Sequence, residues 1–331
     1  MKAAYTPTYG SPDIIEAREV LAPTVGDKDV LVAVHATAVT EGDRRLRSAD
    51  FPGISAVFGR LAMGFFGPRR AIQGTMFAGR VMEIGISVTR YAVGDDVFGS
   101  AAAGAYAELL AMSEDGAMAV MPSGIRYEEA AAVPYGAGTA MHFLRDVAAV
   151  KSGEHVLVLG ASGGVGRFAV QLAKHLGAEV TGVSSRVNFA LVRELGADHV
   201  IDHRSTDFTQ NGQQYDVILD IADATTFARS RSSLTDTGRY VSLYLSLGIL
   251  FQMARTAAFG GPNAKMSIAI PSREDLQAIR DLVAQGVFTP RLAQSYPLEC
   301  ISDAHRAVDA GGLQGTVVVT VPQAVALRAV G

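Results

Sequence analysis

Over the first 120 residues, short apolar or β-branched runs alternate with turn residues. "DVLVAVHATAV" (residues 29–39), "MFAGRVMEIG" and "DDVFGS" each read as strands bounded by Gly or Asp, and glycines 74, 79, 85, 94 and 99 punctuate the region. The pattern predicts a mostly β, barrel-like module. One stretch breaks it. "GISAVFGRLAMGFFGPRRAI" (residues 53–72) is apolar and glycine-broken, and reads as a loop or irregular helix. From about residue 122 the period changes. "YEEAAAVPYGAGTAMHFLRDVAAV" is helix-like with a break near Pro134. "HVLVLG", "EVTGVS", "HVIDH", "DVILDI" and "RYVSLYL" are strands, with helices in "GVGRFAVQLAKHLG" and "RVNFALVRELG". This alternation predicts a doubly wound parallel sheet. "REDLQAIRDLVAQG" and "SDAHRAVDAGG" read as further helices, the second with Ser302 as N-cap, and "GTVVVTVP" as a closing strand. The expected fold is α/β, with a mostly β domain over 1–121 and 290–331 and a nucleotide-binding domain over 122–289.

The segment "LGASGGVGRFAVQLAKHLGAEVTGVSSR" (residues 159–186) carries the chemistry. A buried strand leads into a turn holding Gly160, Gly163, Gly164 and Gly166. The helix after it places Val165, Phe168, Ala169, Leu172, Ala173 and Leu176 on one face. Ala161 stands at the first glycine of G-x-G-x-x-G. Such a turn brings backbone N–H groups to a pyrophosphate, where the helix N-terminus adds partial positive charge. Ala161, Ser162, Gly163, Gly164, Val165 and Gly166 are therefore cofactor candidates. An NAD enzyme places Asp or Glu at the end of the second strand, on the ribose 2′-hydroxyl. This chain has Ser184, Ser185 and Arg186, which suit a 2′-phosphate, so the expected cofactor is NADP(H). Ile221, Ala222, Leu243 and Tyr244 follow strand ends and are expected to line the same crevice.

Composition narrows the class. Apolar residues make up 49% of 331 residues and the net charge is −4, so the chain is globular and offers no basic stripe for nucleic acid. Cys300 is the single cysteine, which excludes an internal disulfide and suits a cytoplasmic setting. No apolar run suggests a signal peptide or a membrane span. His35, His142, His155, His175, His199, His203 and His305 form no pair at metal-ligand spacing. Without a Lewis acid, the easier reaction is hydride addition to an electron-poor acceptor, a quinone or an α,β-unsaturated carbonyl compound.

These motifs, with "TAVTEGDRRLRSADF", "GTMFAGRVMEIG", "EEAAAVPYGAGTAMHFL" and "QGTVVVTV", resemble the zinc-free medium-chain dehydrogenase/reductase superfamily, the NADPH:quinone oxidoreductase-like branch. The resemblance implies a GroES-like domain, a Rossmann domain, an active site in the cleft between them, and a homodimer. It implies that Thr139 lies near the nicotinamide, or else is a helix-buried hydroxyl. It places His203 near the adenosine half, or else in a plain loop. It makes Thr40, Asp43 and Tyr135 pocket candidates, with Phe58 and Phe65 of the apolar segment either lining the acceptor pocket or packing a core or dimer contact. Tyr135 and Tyr244 are read as packing aromatics before proton donors. Three positions depart from the family pattern: Thr40 for a frequent Asn, Met76 for Asp, and Thr316 for a Lys often near the cofactor. A non-catalytic NADPH-binding regulatory protein is the alternative function.

Overall fold

A computed structural model of the protein describes residues 1–51 and 55–322; for Ser55, Val57, Phe58 and Ala62 it describes the backbone alone. Contacts divide the chain into two units that change over at 135/136 and 270/271. The sequence pattern places these boundaries at 121/122 and 289/290. The difference has a packing cause. Helix Tyr127–Ala131 lies on strands Asp29–Val39 and Met76–Ile84, and helix Arg273–Ala284 lies on strand Ala117–Val120, so both belong to the first unit.

The first unit is built around strand Asp29–Val39, eleven residues long, with Val30, Val32 and Val34 fully buried. Its sheet runs Leu292–Pro297, Thr316–Thr320, Asp29–Val39, Met76–Ile84, Asp96–Ser100, Ala117–Val120, and Leu109–Ser113 also pairs with the central strand. The closing strand Thr316–Thr320 is antiparallel to Asp29–Val39, which ties the two ends of the unit together. Phe77, Tyr106, Met118, Val317 and Val319 fill the core. Gly79 is obligatory here: a Cβ would sit 2.0 Å from the Ala33 carbonyl oxygen, next to a register shift of the central strand.

The second unit carries a six-stranded, all-parallel sheet ordered His199–Asp202, Glu179–Ser184, His155–Leu159, Tyr215–Asp220, Leu234–Ser242, Asn263–Met266. In chain order this is 3-2-1-4-5-6, the doubly wound Rossmann arrangement with its reversal between His155–Leu159 and Tyr215–Asp220. Leu157, Leu159, Ile218, Phe227 and Tyr240 pack its core.

The sequence pattern differs from the structure in three further places. Residues Ser55–Met63 form a regular α-helix where a loop or irregular helix is expected. The last helix begins at Ile301 and is capped by no side chain; Ser302 Oγ instead donates to the Ile15 carbonyl, 3.3 Å away. Ser302 is thus not an N-cap, because its hydroxyl finds a partner 287 residues distant in sequence. The pattern assigns no element to residues 246–270, yet helix Leu247–Phe259 and the edge strand Asn263–Met266 lie there. This helix is apolar over most of its circumference, with Leu247, Phe251 and Phe259 exposed, so no clean amphipathic period marks it.

Candidate functional site

The glycine turn follows strand His155–Leu159 and opens helix Gly166–His175. Gly160 adopts φ +85°, a left-handed conformation that favours glycine. Gly160 and Ala161 N–H both donate to the Val183 carbonyl, which fixes the turn against the second strand. Ala161 is fully buried there. A Cβ on Gly166 would sit 2.1 Å from the Gly160 carbonyl oxygen, so no side chain fits at that position. Gly163 and Gly164 are exposed, and a Cβ on Gly164 would meet no atom within 4 Å. The helix N-terminus at Val165 has no side-chain cap. Open space, uncapped N–H groups and a helix dipole together fit an anionic dinucleotide.

At the end of the second strand, Ser184 is buried, Ser185 half-buried and Arg186 exposed. Residues Arg186–Asn188 form a 3-10 turn before helix Phe189–Glu194. Asn188, which the motif reading missed, joins the two halves of the site. Its Nδ2 donates to Ser162 Oγ at 3.1 Å and to Ser185 Oγ at 3.2 Å. Asp202 stands in register with Ser184, but its Oδ1 accepts from the Arg204 N–H at 3.0 Å. Among the described residues, Arg186 forms no ion pair. His203 is exposed, just past the third strand.

The next strand ends at Asp220, a second group outside the motif. It is fully buried and accepts from Ala222, Ala224 and Thr225 N–H groups and from Tyr240 Oη at 2.9 Å. Burial pushes its carboxyl above the usual range, and these donors oppose the shift. Asp220 thereby shapes the 221–225 loop and sets Ala222 against Gly160. Tyr244 Oη donates to the Ile221 carbonyl at 2.9 Å, so this hydroxyl bridges the loops that hold Ile221 and Leu243. Beyond these strand ends lies a cavity of about 280 Å³ lined by Thr225, Phe227, Tyr240, Ser242 and Tyr244 among others.

Helix Pro134–Met141 reaches the turn through Gly136, where a Cβ would sit 2.5 Å from the Gly164 carbonyl oxygen. Thr139, half-buried, follows one turn later on the same face.

In the first unit, Thr40 and Asp43 form a capping box on helix Glu41–Ser48. Thr40 Oγ1 donates to Asp43 Oδ2 at 2.6 Å and Thr75 Oγ1 donates to Oδ1 at 2.8 Å. Asp43 is fully buried, its pKa raised by that burial, and none of its surface faces open space. Tyr135 lies against the same helix at Gly42. Phe65 is exposed and in edge contact with Phe66, while the Phe58 side chain lies outside the described residues. Thr316 begins the closing strand, its N–H donating to the Arg291 carbonyl. No cluster of three or more His, Cys, Asp or Glu converges as a metal site among the described residues, and no described helix is long and apolar enough to cross a membrane.

The family description "Alcohol dehydrogenase GroES-like domain" matches residues 26–135, and "Zinc-binding dehydrogenase" matches 195–319. The polyketide synthase GfsB of Streptomyces halstedii is 35% identical over 272 residues, 80% of this chain but 5% of that protein, so the chain spans a small fraction of such relatives. The human mitochondrial NAD(P)H oxidoreductase RTN4IP1 is 30% identical over 273 residues, 74% of this chain and 69% of that protein. The quinone oxidoreductase of Coxiella burnetii superposes with a TM-score of 0.84 at 25% identity, over 97% of this chain and 99% of that one. With both domain types matched and the parallel sheet carrying an intact dinucleotide turn, the chain belongs to the medium-chain dehydrogenase/reductase superfamily, whose oxidoreductases bind a nicotinamide cofactor.

Proposed function

We propose that the chain is an NADPH-dependent, metal-free reductase that delivers a hydride to a quinone or an α,β-unsaturated carbonyl acceptor. One observation carries the reading: the second strand of the Rossmann sheet ends in Ser184, Ser185 and an exposed Arg186 without an ion pair among the described residues, where a carboxylate would select NAD. Ser162, Gly163 and Gly164 would hold the pyrophosphate; Ser185 and Arg186 would hold a 2′-phosphate. NADPH supplies the hydride when bound. The residues of the chain supply orientation, and the turn excludes side chains from the phosphates. The exposed rings of Phe65 and Phe66 support a flat, apolar acceptor over a charged one.

Arg186→Ala is expected to weaken NADPH by roughly 10- to 100-fold, the equivalent of about 1.5–3 kcal/mol for a charged hydrogen bond, and to leave NADH nearly unchanged. Calorimetric titration of both cofactors checks this; equal affinities in the unmodified protein sink the NADPH assignment. Metal independence rests on donor chemistry: Cys300 is the one thiol in the chain. Exhaustive chelation is expected to leave quinone reduction intact, and a loss restored by zinc alone overturns it. Tight NADPH binding without turnover of any quinone or enone would favour the regulatory alternative.

A further inference from the structure

His142 opens a π-helical turn, His142–Val147, at the end of helix Pro134–Met141. Such turns recur at functional sites because they re-aim one side chain out of the helical row. Here the imidazole meets a hydroxyl 125 residues away: His142 Nε2 lies 2.7 Å from Ser267 Oγ. Its other nitrogen, Nδ1, faces Asp146 Oδ2 at 3.7 Å. Asp146 is itself held by Arg145, whose Nε and Nη2 donate to it at 2.6 and 2.8 Å. The arrangement is clamped from the strand side, where Lys265 Nζ donates to the Val147 carbonyl at 2.7 Å. The Phe143 ring stands edge-on to the imidazole, with centroids 5.2 Å apart.

The place of Ser267 in the sheet gives the triad a use. Ligands of an open parallel sheet bind outside the carboxyl ends of its strands. Strand Asn263–Met266 is parallel to Leu234–Ser242, and Met266 is in register with Ser242. Ser267 is therefore the first residue past the carboxyl edge, level with Leu243. In the order 3-2-1-4-5-6, strand 2 holds the adenosine side at Ser184–Arg186. Strand 6 lies on the opposite half, where the second mononucleotide and its reaction partner belong. His142 follows Thr139 by three residues on the helix that touches the glycine turn at Gly136.

We propose that Ser267, His142 and Asp146 form a proton relay that protonates the α-carbon of an enone acceptor once a hydride has added to its β-carbon. The inference rests on the reductase reading above and names its proton donor. The C=C π pair becomes an enolate when NADPH supplies the hydride. The Ser267 O–H bond then breaks as the Cα–H bond forms. His142, entering the step as the imidazolium, passes its Nε2 proton to Ser267 Oγ and is left as the neutral Nδ1–H tautomer, which water reprotonates at Nε2; its side chain is 28% exposed. Asp146 stays a carboxylate throughout and positions Nδ1. One acceptor, one NADPH and one proton give one saturated ketone and one NADP⁺.

The test is reduction of 2-methylcyclohex-2-enone with NADPH, quenched promptly, with the enantiomeric ratio of the 2-methylcyclohexanone read alongside the rate. The unmodified protein is expected to give one enantiomer. Ser267→Ala and His142→Phe are expected to lower turnover roughly 100-fold, as loss of a general acid does, and to move the product toward a racemate. Ser267→Thr keeps a hydroxyl and is expected to restore the selectivity. A packing defect alone would not change which face is protonated. A second readout needs no cofactor: ¹⁵N NMR is expected to show a single His142 tautomer, with the proton on Nδ1, that becomes a mixture in Asp146→Asn. Variants with full turnover and one enantiomer, or a mixed tautomer in the unmodified protein, overturn the relay. A protein that reduces quinones but no enone overturns the relay and leaves the reductase reading standing. One that reduces neither overturns both.

Discussion

His305→Leu is expected to remove one contribution, that of a buried neutral imidazole, to the stability that the protein loses between pH 6.5 and pH 3. His305 is fully buried on helix Ile301–Ala310, its ring in edge contact with Tyr106. Neither ring nitrogen has a partner among the described residues, and the buried Arg47, paired with Asp309, adds positive charge nearby. Burial first, then Arg47, lowers its pKa from 6.5 to about 3. The sign follows. The unfolded chain protonates this imidazole below pH 6.5, whereas the folded one resists until about pH 3. Stability is thus intact above 6.5 and falls as pH drops toward 3, by about 5 kcal/mol at most. Asp43 has a raised pKa and responds in the opposite sense, but it remains in both proteins. Leu is close in volume, so stability at pH 7.5 is expected to change by about 1 kcal/mol or less. Urea titrations of both proteins from pH 7.5 to 4 measure the difference. A constant difference across that range would remove His305 as a source of acid sensitivity.

The same residue shows what kind of information a sequence withholds. Helix Ile301–Ala310 is legible and helix Glu41–Ser48 is not assigned by the pattern, and their contact through Arg47 and Asp309 spans 262 residues. A lone histidine on a helical pattern carries no mark of having its charge suppressed. Asp220 and Tyr240 are similar: both end or fill ordinary strands, and only the pairing of those strands brings the hydroxyl to the carboxylate. His142 and Ser267 meet because the edge strand, which no periodicity announced, returns beside the π turn. The glycine turn is the opposite case. Strand, turn and helix are contiguous, and each demand, a left-handed Gly160 or a Cβ-free Gly166, is met by one residue within seven positions. Local sequence therefore reveals the proposed cofactor half of the site, where one loop carries most of the candidate residues. It leaves the acceptor half as candidates, because the Thr40–Asp43 capping box, Tyr135 and Phe65 lie on three separate segments. Thr40 and Asp43 also show that a family position can be occupied by helix capping, with the carboxylate enclosed.

Two glycines of the turn are expected to fail in different ways, which separates folding from binding. Gly166→Ala places a methyl group 2.1 Å from the Gly160 carbonyl oxygen and 2.8 Å from its carbonyl carbon. Both are backbone atoms, so the strand-to-helix turn itself must move. Overpacking of this kind costs roughly 1–3 kcal/mol of stability. The shift also tilts the helix N-terminus, and each charge-assisted N–H contact to a phosphate lost with it weakens binding by about 1.5–3 kcal/mol. Gly163→Ala meets only the Gly160 carbonyl oxygen of its own turn, at 3.3 Å, and otherwise points to the open side. It is expected to keep its melting temperature within about 2 °C, since surface substitutions change stability by about 0.5 kcal/mol or less. Its methyl group would nevertheless stand where the pyrophosphate must approach the backbone, so NADPH affinity is expected to fall on the order of 100-fold. Thermal unfolding with and without saturating NADPH reads both effects in one experiment. Gly166→Ala lowers the unliganded transition and loses the cofactor-induced rise; Gly163→Ala loses only the rise. If Gly163→Ala keeps the full rise, the pyrophosphate does not lie over this turn, and the assignment of residues 161–166 to the cofactor is wrong.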